Sequence, residues 1–91
     1  MPQVIHIPTA LRKLTDNHAR VEVQAAYVAE ALDQLLARYP ALRERVVDEQ
    51  GALRRFVNLF VNDQDIRFLQ NLQTPLEDGD ELSLIPAIAG G

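Results

Sequence analysis

The sequence predicts a single α+β domain spanning residues 1–91, in which a mixed sheet of four or five strands packs on one main helix. Three observations carry this expectation. One stretch repeats its apolar residues at helical spacing, four shorter stretches alternate at period two or close to it, and an early hairpin precedes the helix while the remaining strands follow it. A chain of 91 residues has room for one core and no more. At 47% hydrophobic and 24% charged it has enough apolar surface to offset the ordering entropy, which excludes a chain disordered as a whole.

In residues 3–8, Ile5 and Ile7 fall on one side and Val4 and His6 on the other, the pattern of a half-buried first strand. Leu11 and Leu14 then lead into Thr15-Asp16-Asn17, whose side chains bond their own backbone and favour a reversal. Residues 19–23 alternate again, with Ala19, Val21 and Val23 against Arg20 and Glu22, completing a hairpin. Over residues 26–39 the period lengthens. Val28, Leu32, Leu35, Leu36 and Tyr39 share a helical face, and Glu30, Asp33, Gln34 and Arg38 occupy the other. Pro40 ends this helix. Its start lacks a Ser, Thr, Asp or Asn cap, since Gln24-Ala25-Ala26 offers none. Leu42, Val46 and Val47 suggest a further helical turn before Gly51.

Residues 56–62 are rich in β-branched and aromatic side chains and divide into Val57, Leu59 and Val61 against Phe56, Asn58 and Phe60. Asn62-Asp63 makes the next turn, and 65–67 are expected as a short extended piece. A turn at 77–80, where Gly79 can take positive φ, leads to a last strand at 81–85 with Leu82 and Leu84 on one face and Glu81, Ser83 and Ile85 on the other. Pro86 cannot donate to a ladder, so regular pairing is expected to weaken there and a mobile tail to begin at about residue 86.

The charge balance narrows the function. Thirteen acidic against nine basic side chains give −4, which repels phosphate backbones and anionic lipid, so neither nucleic acid nor a membrane is expected as partner. The absence of cysteine removes disulfides, thiolate–metal sites and a thiol nucleophile. No apolar run approaches a membrane span and no basic-then-apolar leader opens the chain, so a cytoplasmic protein is the expectation.

Side chains that commonly carry chemistry fail to assemble in the sequence. His6 and His18 have no second imidazole at helical spacing, and Asp78 and Asp80 lack the remaining positions of a calcium loop. Ser83 is the only serine and lies outside a nucleophile elbow. Phosphate-binding glycine motifs are absent, and Arg54-Arg55 is a doublet and not a patch. No catalytic residue, metal site or cofactor of its own is therefore expected. The end of the chain is different. After Ile85 the side chains become small, and Gly90-Gly91 leave a slender terminal carboxylate. Seven residues from Ile85 to Gly91 can reach about 23–25 Å, far enough to enter another protein's active site. A frayed terminus is the alternative reading of the tail alone.

The segments Val4-Ile5-His6-Ile7-Pro8-Thr9-Ala10-Leu11-Arg12 and Asp78-Gly79-Asp80-Glu81-Leu82-Ser83-Leu84-Ile85-Pro86-Ala87-Ile88-Ala89-Gly90-Gly91 together resemble the ubiquitin-like sulfur carriers of the ThiS/MoaD type. The stretch Phe56-Val57-Asn58-Leu59-Phe60-Val61-Asn62-Asp63-Gln64-Asp65-Ile66-Arg67-Phe68 is similar to the branch that serves cysteine synthesis, the CysO branch. The resemblance implies a β-grasp fold with a flexible Gly-Gly tail. It implies that Gly91 is adenylated by an E1-like adenylyltransferase/sulfurtransferase using ATP and Mg²⁺ and becomes a thiocarboxylate, with Gly90, Ala89 and Ile88 forming the tail that enters the partner. It further implies a sulfur-acceptor enzyme, a PLP-dependent cysteine synthase or alternatively the large subunit of molybdopterin synthase, with thiazole synthesis behind these. A ubiquitin-like modifier that forms isopeptide bonds is the alternative of a different class, and a β-grasp module with an inert tail is a third. Ile85 matches a hydrophobic partner contact of such carriers. Phe60 either extends that contact or packs beneath a loop or the helix, and Arg67 is either a partner contact or a solvated arginine; alternation alone leaves both open.

Overall fold

The computed structural model describes residues 2–86 of the chain. Strands β1 (Gln3–His6) and β2 (Arg20–Val23) form the hairpin, helix α1 (Val28–Arg38) follows, and a 3₁₀ turn at Pro40–Leu42 runs into the short helix α2 (Arg43–Val46). Strands β3 (Val57–Val61), β4 (Gln64–Asp65) and β5 (Glu81–Pro86) complete a five-stranded sheet in the order β2-β1-β5-β3-β4. β5 runs parallel to β1 and antiparallel to β3, so the last strand lies in the middle of the sheet. One helix across a mixed sheet with this order is the β-grasp, ubiquitin-like fold.

One face of the sheet makes the core. Ile5, Val21, Val23, Val57, Leu59, Val61, Leu82 and Leu84 alternate inward and join Val28, Ala31, Leu32, Leu35 and Leu36 of α1 in a single buried cluster. Their intervening neighbours Val4, His6, Asn58, Phe60, Ser83 and Ile85 are half-buried or exposed on the opposite face.

Several boundaries differ from expectation, each for a local reason. β1 stops at His6, although Ile7 still donates to the Ala19 carbonyl (2.8 Å), because Pro8 has no N–H to continue the ladder. Leu11 and Leu14 belong to a 3₁₀ helix, Thr9–Leu14, and the reversal follows at Asp16 and Asn17, both at positive φ. α1 begins at Val28, two residues late, because Tyr27 bridges Pro75 and the Ala26 carbonyl accepts from Leu76 N–H (2.9 Å). The missing cap is replaced from elsewhere: Val28 N–H donates to the Thr74 carbonyl (2.9 Å), and Glu30 Oε1 accepts from Ala26 N–H (2.8 Å).

The expected extended piece at 65–67 is corrected. Only Gln64–Asp65 is strand, and Ile66–Phe68 is a 3₁₀ turn, because the Asp65 carboxylate accepts from Arg67 N–H (2.9 Å) and pulls the chain out of the sheet. Pro86 is also corrected. It remains in β5 opposite Val57, so regular pairing continues through it, and the rest of the expected tail lies outside the described residues. Asn62 N–H bonds the Glu81 carbonyl, so residues 81, 83 and 85 turn their backbone groups to β3. The missing N–H of Pro86 therefore faces the side where β1 has already ended, since β1 accompanies only Glu81 to Ser83.

Candidate functional site

The site begins where β5 leaves the sheet. β5 is clamped by β1 on one side and β3 on the other, and its buried Leu82 and Leu84 root it in the core. Ile85 lies one residue before the end of this strand, on the uncovered face, with 45% of its surface exposed. A large aliphatic side chain left exposed beside the exit of the chain is suited to contact another protein. Gly91, Gly90, Ala89 and Ile88, the expected working tail, lie outside the described residues.

The register gathers the other expected contact residues around Ile85. Asn58 faces Ile85 directly across β3 and β5, and Phe60 faces Ser83 one pair further along. Phe60 is half-buried on the face opposite the core, so it does not pack beneath α1. Arg67 reaches the same face from the turn after β4. Its Nη2 donates to Asn58 Oδ1 (2.6 Å) and to Asp65 Oδ2 (2.8 Å). The guanidinium hydrogen bonds, together with the Arg67 N–H, hold the Asp65 carboxyl below the usual carboxylate range, and Asp65 raises Arg67 in turn. Arg67 is thus neither free nor simply solvated: it ties the β4 turn to the centre of the outer face.

Around this patch the surface is polar. His6 faces Ser83 on one side and Arg20 on the other, and its Nε2 meets Glu81 Oε1 at 2.6 Å. Two exposed aromatics were not singled out as contacts from the sequence. Phe56, 44% exposed, precedes β3 at the Pro86 end of the sheet, and Phe68, 86% exposed, closes the 3₁₀ turn that begins at Ile66. The signal for Phe56 was present, because it shares the alternation of Asn58 and Phe60; Phe68 had none, since its exposure follows from the turn at Asp65. Among the described residues no three His, Cys, Asp or Glu side chains converge as a metal site, and no helix is long and apolar enough to cross a membrane. The described body therefore presents an uncovered sheet face, part apolar and part charged, beside the end of its central strand.

Comparison with known proteins agrees with this geometry. Residues 5–91 match the ThiS family. The chain is 39% identical to the sulfur carrier protein CysO of Mycobacterium tuberculosis over 93 aligned positions that cover all of both chains. It is 34% identical to the molybdopterin synthase sulfur carrier subunit of the same organism over 85 positions, covering 90% of this chain and 88% of that one. Among solved structures it is similar to a chain of the Amycolatopsis orientalis BexX/CysO complex, with a TM-score of 0.89, 40% identity, and coverage of 98% of this chain and 99% of the other. With a family match across nearly its whole length and full-length relatives at this identity, the chain belongs to the ThiS family.

Proposed function

We propose that this protein is a sulfur carrier whose terminal glycine is the working group, and that it delivers sulfur for cysteine biosynthesis. The observation that supports this reading most is the similarity to CysO, 39% identical over an alignment that covers all of both chains, together with the Gly90-Gly91 pair. The body is a protein co-substrate and not an enzyme.

The chemistry follows from the weakness of a carboxylate as an electrophile. An E1-like enzyme, using ATP and Mg²⁺, joins the Gly91 carboxylate to AMP and releases pyrophosphate. Sulfide then attacks the activated carbonyl carbon, AMP departs, and a thiocarboxylate remains; a persulfide donor gives an acyl disulfide instead, which a thiol cleaves to the thiocarboxylate with formation of a disulfide. Docking through Ile85 and Phe60 places that sulfur in the acceptor enzyme, for which a PLP-dependent cysteine synthase is the assignment, and turns a bimolecular transfer into a positioned one. Arg67 contributes by holding Asn58 and the turn after β4 in place beside the docking residues.

A second reading, the small subunit of molybdopterin synthase, is favoured by the 34% relative. Intact-mass analysis after incubation with the E1-like enzyme, ATP and a sulfur donor tests the shared chemistry: a gain of about 16 Da marks oxygen replaced by sulfur. Adding a cysteine synthase or the molybdopterin synthase large subunit to the thiocarboxylate then shows which one consumes it. High-mass lysine conjugates in place of the gain would overturn the carrier reading in favour of a modifier.

A further inference from the structure

The sheet has a partly open edge. β4 accompanies β3 only at the pairs Phe60↔Asp65 and Val61↔Gln64, after which the Asp65 turn takes the chain away. Val57, Asn58 and Leu59 consequently have a strand neighbour, β5, on one side alone. Because the Asn62–Glu81 bond sets the alternation, Asn58 and Phe60 direct their backbone groups to β5, and Val57 and Leu59 turn theirs the other way; there Val57 N–H donates to the Arg54 carbonyl (3.0 Å) and the Phe60↔Asp65 pairing engages the Leu59 carbonyl with Ile66 N–H, which leaves Leu59 N–H and the Val57 carbonyl on the open side.

A cleft of about 460 Å³ runs along this edge. Leu53, Leu59, Ile66 and Leu72 line it, with Arg54, Arg55 and Arg67. In sequence the arginine doublet stood alone; the fold adds Arg67 to it. Asp65 is the one acid in the lining, and its carboxylate is already committed to Arg67. Arg54 spends its Nε on the Glu44 carbonyl (2.7 Å), which leaves its charge unmatched, and Arg55 is exposed with no acidic partner among the described residues. A cationic cleft thus sits on a chain whose formal charge is −4.

We propose that this edge binds an extended acidic segment of a partner protein, which adds a short strand beside Val57, Asn58 and Leu59. One residue of its backbone accepts from Leu59 N–H and donates to the Val57 carbonyl, one apolar side chain enters the cleft, and its carboxylates meet Arg55 and Arg54. Charge selects this occupant. A second copy pairing edge to edge would set the arginines of one chain against those of the other, as an isologous contact requires. A strand added at this edge lies two strand spacings from β5, about 10 Å, so a partner holding the end of the chain can reach it as well. The proposal stands independently of the sulfur chemistry.

The test is an NMR titration of the full-length ¹⁵N-labelled chain with a capped peptide alternating Glu and Val, at up to millimolar concentration. Shifts centred on Val57 to Leu59 and on Leu53 and Leu72 are expected. Arg55→Glu, at an exposed position without a partner among the described residues, should weaken binding about fivefold to tenfold. Arg54→Glu also removes a bond to Glu44, so Arg55 is the primary variant. The same peptide N-methylated on alternate amides should lose binding, and a chain lacking Gly91 should retain it, which separates this surface from the tail. Shifts confined to the Ile85 face, unchanged affinity in Arg55→Glu, equal binding by the N-methylated peptide, or a dimer that protects the Leu59 amide would each overturn the proposal.

Discussion

Pro86 stands opposite Val57 at the end of the β3–β5 ladder, and the strand it closes is the middle one of five. The chain therefore departs from the best-held part of the sheet. An edge strand can peel away under load; a central strand has to break pairing on both sides and expose buried leucines. A force applied at Pro86 is therefore transmitted to the whole core.

Two adjacent residues separate mounting from docking. Leu84 is 3% exposed and Ile85 is 45% exposed. Leu84→Ala is expected to cost about 2–5 kcal/mol of stability through lost burial and the cavity left behind. Ile85→Glu should cost no more than about 1 kcal/mol while weakening binding to the E1-like enzyme by about tenfold or more. Urea denaturation and a binding titration on both variants check this; an Ile85→Glu protein with unchanged affinity would remove Ile85 from the interface.

Gln3 is a buried polar residue with every side-chain atom employed. Its Nε2 donates to the carbonyls of Ala25 (3.0 Å) and Glu77 (3.3 Å), and its Oε1 accepts from Ala25 N–H (2.9 Å). These bonds tie β1 to the approach of α1 and to the turn before β5. Gln3→Leu preserves most of the volume but strands those backbone groups, and is expected to destabilise the domain by about 1–3 kcal/mol. Equilibrium unfolding measures it, and a neutral substitution would mean that water replaces the amide.

The Asp65–Arg67 pair has a defined pH signature. Arg67 lowers the Asp65 carboxyl in the folded chain, so the pair stabilises the fold at pH values above the ordinary carboxylate range and loses that contribution as pH falls through the depressed folded value. Asp65→Asn keeps an oxygen that can accept from Arg67 N–H but removes the titration. The stability gap between wild type and variant should therefore be constant near neutrality and shrink as the pH drops below about 4. Because the Arg67 side chain is 60% exposed, the gap is small and should also narrow with salt. A gap that does not change between pH 6 and pH 2 would contradict the assignment.

What the sequence made legible and what it hid divide along the range of the interactions. The inward series Val57, Leu59, Val61 and Leu82, Leu84 is local periodicity, and so is the face of α1 that carries Leu32, Leu35 and Leu36; all were readable from spacing. The turn after β4 was missed because one side-chain oxygen on Asp65 outcompeted the ladder. The start of α1 and the burial of Gln3 depend on Thr74, Pro75 and Glu77, far away in the chain, which no periodicity encodes. The outer-face contacts were half legible. Alternation put Phe60 and Ile85 on the face away from the inward leucines and valines, whereas the bond from Arg67 to Asn58 exists only because that turn folds back. The terminal glycines were read as a slender end from the small side chains there and given a role only by resemblance to a family, and they lie outside the described residues.

The length of the tail is the last prediction. If the Gly91 carbonyl is what a partner activates, the distance from the fixed end of β5 at Pro86 to that carbon is part of the mechanism. Removing Gly91 leaves a glycine carboxylate of the same chemistry, but draws it back by about 3.3–3.6 Å. Misplacement by even about 1 Å can cost on the order of 100-fold in a reaction that depends on positioning. The shortened chain should thus unfold at the same urea concentration as wild type while its rate of adenylation by the E1-like enzyme falls by at least about 100-fold. A chain extended by one further glycine should fail comparably, because its carboxylate overshoots. Pyrophosphate release measures both rates, and a shortened chain that is activated at the wild-type rate would show that the enzyme adjusts to the carboxylate wherever it lies, in which case the central-strand mount is not what sets the geometry of the reaction.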